Sequence, residues 1–482
     1  MLRGFNILLG PALFIFFYFY IGPFDGMSNE SFAIFCSVIW ISTWWINEAV
    51  PIPITSLLPL VLFPLTGGLD LSSTSSAYGN KIIFFYMAGF FLAIAMEKWN
   101  LHKRIALLII FYVGTNKKRM VLGFMLATAI LSMFLSNTST SIMMLPIGIA
   151  IASQVSLRKN LSDSNFGKVL MLGIAYSASI GGFATLFGTP PNLILQSNVE
   201  QFFNYKIDWD EWFAMAFPLS ISLLLICWIY LTNFSYDISS SSKINTNIIK
   251  EKLKKLGDIK YEEVIVLSIF FLFIFSLIFK KGIENYLNFI DDTIIAIFYA
   301  ILLFIFKSKN KKQKIITWED SVKLPWGIIL LFGGGLSVAA AMQESGLALW
   351  FGEKAYLLND LSVIFIILLI VLAVNFLTEI TSNLATVSMI LPILATVSIS
   401  LGINPLIIMI SATIAASCAF MLPVATPPNA VVFGSGYLKI KDMIRTGLLM
   451  NFISIIIVSL YIYFVLPEIW DLESIVLIES LN

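Results

Sequence analysis

LSMFLSNTSTSIMMLP, residues Leu131–Pro146, sets a polar knot, Ser136-Asn137-Thr138-Ser139-Thr140, between two apolar arms. A helix needs about 20 apolar residues to cross the hydrocarbon core of a bilayer. The arms, Met120–Leu135 and Ser141–Val155, both fall short of that length. Two short helices meeting at a polar tip read as a re-entrant hairpin. Irregular backbone persists at membrane depth only where it is buried in protein or lines a wet cavity, because lipid offers its N–H and C=O groups no partner. The tip is therefore a candidate binding site.

The same pattern returns 246 positions later, in TSNLATVSMILP at Thr381–Pro392, so that Ser136-Asn137-Thr138 lies over Ser382-Asn383-Leu384 and Leu145-Pro146 over Leu391-Pro392. FGTPPN at Phe187–Asn192 is matched by VATPPN at Val424–Asn429, and MAGFFLA at Met87–Ala93 by FGGGLSV at Phe332–Val338. Three matches in one order make an internal duplication. Interrupted helices at matching places of two halves mark the midplane site of a secondary transporter.

Composition agrees. Of the 482 residues 58% are hydrophobic and 12% charged, and the mean hydropathy is +0.89, which excludes a soluble domain and indicates a polytopic all-α membrane protein. The opening run Phe5–Pro23 reads as a first span and not as a removed signal peptide. Spans are expected at 5–22, 31–49, 53–67, 80–97, 170–197, 217–234, 262–279, 292–306, 324–343, 406–434 and 446–466, with hairpins at 120–156 and 362–399. That gives eleven transmembrane helices and two re-entrant hairpins. With the N-terminus cytoplasmic, 25 of the 30 basic residues fall on the inside, leaving Lys81, Lys206, Lys280, Lys281 and Lys354 outside. The C-terminus, with Glu468, Asp471, Glu473 and Glu479, is then outside a cell (inner) membrane.

Five crossings separate the two tips, so the hairpins open to opposite sides and the repeats are inverted. The chain divides into a scaffold part with a cytoplasmic interfacial helix (1–119), a first transport part (120–235), a linker (236–261), a second scaffold part (262–360) and a second transport part (361–482). The interfacial segment is His102–Arg119, with Ala348–Asp360 as its counterpart, and Ser235–Lys260 reads as a solvated connector.

At this point the residues resemble a family. NEAVPIPITSLLPLVLFPLTGG (Asn47–Gly68), SNTST, ITSNLAT, GTPPN and SCAFMLPVATPPNAVV (Ser417–Val432) are similar to the divalent anion:sodium symporters, the INDY-type sodium:dicarboxylate and sodium:sulfate transporters. The resemblance runs from about Trp44 to Arg445. It implies a homodimer whose transport parts move as elevators, with a small-molecule dicarboxylate bound between the hairpin tips and two or more sodium ions carried with it. By position, one sodium site would use Ser132, Ser136, Asn137 and the backbone at Gly188, the other Thr378, Thr381, Asn383 and the backbone at Ala425. The substrate would meet Ser136, Asn137, Thr138, Thr189, Pro190, Ser382, Asn383, Thr426 and Pro427. Leu384 stands where a dicarboxylate carrier of the family has Thr.

The chemistry of the residues supports that expectation. Clusters of hydroxyl, amide and carbonyl oxygens suit sodium, proline frees neighbouring carbonyls by breaking the helix ladder, and helix N-termini receive carboxylates. No Lys or Arg lies in the tips or the Pro-Pro breaks, so a divalent anion calls for cations bound beside it.

Other residues have plainer readings. Glu379 is an intramembrane carboxylate with Asn375 one turn back, either part of the hairpin scaffold or of the coupling; Glu48 and Glu97 read as anchors or interfacial pairs; His102 sits in a basic interfacial run; Trp44, Trp45, Trp212 and Trp318 read as an interface belt. Cys36, Cys227 and Cys418 are expected to be packing residues. One histidine and scattered cysteines supply no nucleophile with base and no metal cluster, so no enzyme is expected. The function read from the sequence is sodium-coupled uptake of small divalent anions, C4-dicarboxylates such as succinate foremost. Sulfate, citrate and sodium-independent dicarboxylate exchange are the alternatives, and no nucleic-acid partner is implied.

Overall fold

The computed structural model describes residues 2–114, 116–156, 161–238, 247–284, 290–309, 313–358, 360–470 and 472. Asp471, Glu473 and Glu479 of the expected outer tail, and part of the connector, lie outside the described residues.

Helices dominate the described chain. α1 (Leu2–Phe16) and α2 (Asn29–Asn47) lead into two short helices, α3 (Ile52–Thr55) and α4 (Pro59–Thr66). The segment expected as one span at 53–67 is therefore broken: Pro59 lacks an N–H and starts a new helix. α5 (Leu71–Ser76) and α6 (Lys81–Lys98) are followed by the arm α7 (Leu101–Val113), the hairpin α8 (Lys117–Ser132) and α9 (Asn137–Ser156), the interrupted pair α10 (Leu161–Gly182) and α11 (Pro190–Phe203), and α12 (Trp209–Ile229). After α13 (Asn247–Leu256), α14 (Tyr261–Ile278), α15 (Lys280–Glu284) and α16 (Asp292–Ile305), the order returns: α17 (Trp326–Glu344), arm α18 (Leu347–Lys354), hairpin α19 (Val363–Thr378) and α20 (Asn383–Ser400), interrupted pair α21 (Pro405–Ala416) and α22 (Pro427–Phe433), then α23 (Ile440–Phe464) and α24 (Leu466–Trp470).

Among the described residues, seven helical stretches are long and apolar enough to cross a membrane, among them Asn137–Val155 and Asn383–Ser400. The second arm of each hairpin is thus longer than the sequence suggested. Each helix starts at the tip asparagine itself, so the polar knot supplies its first turn. Both arms of the first hairpin pack on α10, and both arms of the second on α21. The arrangement also crosses over: α9 packs on α22, and α20 on α11. α6 and α17 run in opposite directions. At the start of α6 Lys81 meets Glu200 at 2.6 Å, and at the end of α17 Gln343 donates to the neighbouring Gln201 carbonyl. At the end of α6 Lys98 meets Asp320, just before α17 begins.

Three expectations need correction. The interfacial segment His102–Arg119 ends as a helix at Val113, and Lys117 to Arg119 open the hairpin arm. Inside it Arg104 is buried against Glu263 at 2.5 Å, an ion pair that fixes α7 to α14. The connector holds α13, because Ile248, Ile249, Leu253 and Leu256 recur at helical spacing and turn an apolar face toward α7. Trp45 and Trp212 are buried instead of forming a belt, each with its indole N–H satisfied, by Ser56 Oγ at 3.2 Å and by the Phe183 carbonyl at 3.0 Å. Trp318 is exposed, and the three cysteines are free and buried.

Candidate functional site

A cavity of about 670 Å³ opens where both tips and both breaks converge. Its wall includes Ser136, Asn137, Thr138, Gly188, Thr189 and Pro190 of the first half and Thr381, Ser382, Asn383, Leu384, Ala425, Thr426 and Pro427 of the second. Ser132 and Thr378 stand behind the tips, fully buried.

Each tip asparagine is held in the same way. Ser132 Oγ lies 2.6 Å from the Asn137 amide and donates to the Ala178 carbonyl at 2.7 Å. Thr378 Oγ1 reaches Asn383 Oδ1 at 2.6 Å and the Ala416 carbonyl at 3.1 Å. The Asn137 amide nitrogen donates to the carbonyls of Ala178 and Gly188 at 3.1 and 3.2 Å and to Ser132 Oγ at 2.6 Å. The hydroxyl of Ser132 and the two carbonyls gathered round this amide are the kind of neutral oxygens that suit a hard monovalent cation. Glycine is required at the crowding points: a Cβ at Gly182 would strike the Asn137 amide, and one at Gly188 would strike the carbonyls of Gly182 and Ser132. Gly181 sits against the backbone of Ala129, the close helix contact that its lack of a side chain permits.

The breaks are clipped by asparagines of the two Pro-Pro-Asn motifs. Asn192 Nδ2 donates to the carbonyls of Phe183 (3.2 Å) and Thr185 (2.7 Å). Asn429 Nδ2 donates to those of Ala419 (3.3 Å) and Leu422 (3.0 Å). Both residues are buried.

Four helix N-termini, those of α9, α11, α20 and α22, meet at this cavity, and each contributes partial positive charge. The two hairpin ends are donors. At α9, Ser136 Oγ caps the Ser139 N–H at 3.1 Å and the Ser136 carbonyl takes that of Thr140, leaving the N–H groups of Asn137 and Thr138 for a ligand. At α20 no side chain caps the first turn, so the N–H groups of Asn383, Leu384 and Ala385 are all available. The Pro-started ends of α11 and α22 lack two N–H donors each.

The rest of the wall comes from residues that the sequence reading did not assign to the site. Tyr86 and Phe90, one turn apart on α6, line it, as do Ile46, Asn47, Glu48, Ile52 and Ile328. Glu48, expected as an anchor or interfacial pair, is exposed on this wall, has a left-handed backbone with φ of 45°, and makes no ion pair with a described residue. The only signal for it was its place in Asn47–Gly68. Glu379 does not pair with Asn375, whose amide donates to the Cys418 carbonyl at 2.6 Å. Its buried carboxylate accepts the N–H groups of Phe420 (2.8 Å), Met421 (2.9 Å) and Leu422 (3.0 Å) and the Asn451 amide (2.8 Å). The three N–H donors belong to the second break and Asn451 to α23, so Glu379 ties to α23 the irregular backbone that Ala425 and Thr426 continue.

Residues 6–467 match the family described as the sodium:sulfate symporter transmembrane region. The sodium-dependent dicarboxylate transporter of Staphylococcus saprophyticus is 44% identical over 480 residues, covering 97% of this chain and 92% of that protein. Its Staphylococcus aureus counterpart from strain USA300 is 46% identical over the same coverage. Among solved structures, the Neisseria gonorrhoeae antimetabolite efflux pump MtrF aligns with a TM-score of 0.58 at 11% identity, over 91% of this chain and 95% of that one. The Alcanivorax borkumensis YdaH transporter aligns at 0.56 with 13% identity, over 82% and 87%. These two likenesses concern the fold.

Proposed function

Since the chain belongs to the sodium:sulfate symporter transmembrane family, a family of transporters and not of enzymes, we propose that it couples sodium entry to uptake of small divalent anions, C4-dicarboxylates such as succinate. One observation carries this reading: a cavity ringed by four helix N-termini and by hydroxyl and amide groups from both halves, with no Lys or Arg among its lining residues. Each carboxylate of a short diacid then takes N–H and O–H donors from one tip. The helix ends offset only part of two negative charges, so sodium bound beside the anion supplies the remainder.

Sodium is the cargo ion. Ser132, Ser136, Asn137 and the Gly188 carbonyl would hold one, and Thr378, Thr381, Asn383 and the Ala425 carbonyl another. The Thr381 hydroxyl is engaged with Leu377 (2.8 Å) and Thr386 (2.6 Å), so its oxygen can turn to a cation at the cost of one of these contacts. Because both ions and the anion share the tips, either one preorganises the site for the other. The antiparallel course of α6 and α17 supports inverted repeats. Parts 1–119 and 262–360 act as scaffold, and the hairpins with their interrupted helices move as an elevator in each subunit of a homodimer. The charge bias supports a cytoplasmic N-terminus, with the cavity wall bearing Glu48 toward it.

The test is uptake of labelled succinate into proteoliposomes with and without an inward sodium gradient. Uptake should require sodium and be inhibited by unlabelled C4-dicarboxylates. Succinate counterflow at full rate without sodium would establish an exchanger and overturn the coupling.

A further inference from the structure

The ion pairs are distributed unevenly about the boundary between scaffold and moving parts. Lys98 with Asp320 (2.6 Å) and Arg104 with Glu263 (2.5 Å) lie within the scaffold, and Lys168 with Asp442 (2.8 Å) within the moving parts. Others cross the boundary: Lys81 to Glu200 (2.6 Å), Lys206 to Asp291 (2.8 Å), Lys280 to Asp208 (2.5 Å), and Lys281 to Asp210 (3.6 Å) and Glu211 (3.4 Å). Among the described residues, all the crossing pairs lie at one end, around the corner between α11 and α12.

That end is remote from the open side of the cavity. α11 runs from Pro190 on the cavity wall to Glu200 in the cluster, ten residues or about 15 Å of helix. α2 runs in the reverse direction: Ser31 near its start bonds the Ser345 carbonyl at the far end of α17, and its last residues, with Glu48, are exposed on the wall. We propose that this cluster is an electrostatic latch, which holds α11 and α12 against the scaffold in the state whose cavity opens at the opposite end and which must be exchanged in every transport cycle.

Single exposed pairs contribute little, but these share ions and are partly withdrawn from water. Asp291 also lies 3.7 Å from Lys81, and Lys280, almost fully buried, sits between Asp208 and Asp292 at 2.5 and 3.0 Å. Burial works against charge on Asp291, yet Lys206 and the Thr293 N–H hold its carboxyl well below the usual carboxylate range. Burial likewise opposes charge on Lys280, and Asp292 and Asp208 outweigh it, raising its ionisation above the usual lysine range. Asp291 and Lys280 therefore favour their charged forms, and separating the pairs exposes charge to a new environment.

This inference rests on the division into scaffold and moving parts given above. The probe is a cysteine at Val424, 82% exposed on the cavity wall, after replacement of the three native cysteines. An impermeant maleimide is applied from the cavity side. Glu200→Gln combined with Lys206→Gln should slow labelling by about threefold or more, while Glu200→Asp labels like the parent. Should the double variant not elute as a single species, Lys281→Gln, at an exposed side chain, takes its place with an expected slowing of about 1.5-fold. Unchanged labelling in a well-folded variant overturns the latch. Protection of the same cysteine by succinate with sodium reads the substrate site independently. Loss of protection with the latch effect intact would reject the site and leave the latch standing.

Discussion

The two hairpin-and-break units are built on one plan and finished differently. In both, a hydroxyl on the first arm ties the tip asparagine to a carbonyl of the interrupted helix, and a buried Pro-Pro-Asn asparagine clips the break. The first break is otherwise fixed by neutral groups: the Thr185 hydroxyl bonds the Met133 carbonyl, and the Trp212 indole bonds Phe183. The second is fixed by the Glu379 carboxylate with Asn451. At the tips, Thr138 offers a hydroxyl where Leu384 offers none, but the second tip lacks the cap of the first and exposes more backbone N–H. What is shared is the oxygen chemistry a cation needs; what differs is how the backbone is braced and how an anion is met.

The largest effect should separate the two braces. A buried carboxylate that satisfies four donors cannot be removed without leaving them unpaired, so Glu379→Ala should cost about 3–5 kcal/mol of stability. Thr185→Val, removing one neutral hydrogen bond, should cost about 1 kcal/mol. Thermal unfolding in detergent ranks the two, and equal losses would mean that the braces are equivalent after all.

Next comes the feature held in common. Asn137→Ala and Asn383→Ala each remove an oxygen ligand along with the contact that positions it, at about 1–3 kcal/mol, so the sodium concentration for half-maximal uptake should rise roughly five- to hundredfold. A rise in one mutant alone would show that the two nests are not both cation sites.

The smallest expected differences lie at the tips. Loss of the Thr138 hydroxyl removes a hydrogen bond to a charged group, about 1.5–3 kcal/mol, and Thr138→Ala should weaken succinate at least about tenfold. Leu384→Ala should cost less and admit bulkier diacids. Leu384→Thr should tighten succinate and sharpen discrimination against longer diacids, which an apolar wall separates by only about 1–3 kcal/mol. Competition of labelled succinate uptake by diacids, citrate and sulfate checks the set. Normal transport by Thr138→Ala, with an unaltered competition series in both Leu384 variants, would make the tips hairpin caps and place the anion elsewhere.

The sequence by itself determined the duplication, the hairpins, the Pro-Pro breaks and the family, because each is written in local chemistry: apolar runs too long for anything but a membrane, polar knots within them, and prolines that stop a helix wherever they stand. The tip and break residues it assigned to substrate and sodium, apart from Ser132 and Thr378 just behind them, meet in one cavity. It misjudged where regular structure resumes at the tips, since a helix can begin on the asparagine of a polar knot when a neighbouring hydroxyl steadies it. Only the tertiary structure decided that Glu379 answers to Asn451, 72 positions away, instead of Asn375 on its own helix. The same holds for Glu48 and Tyr86 on the cavity wall and for the gathering of Lys81, Glu200, Lys206 and Asp291 at one end. A charged side chain's partner is whatever packing brings within a few ångströms, and no periodicity along the chain records that choice.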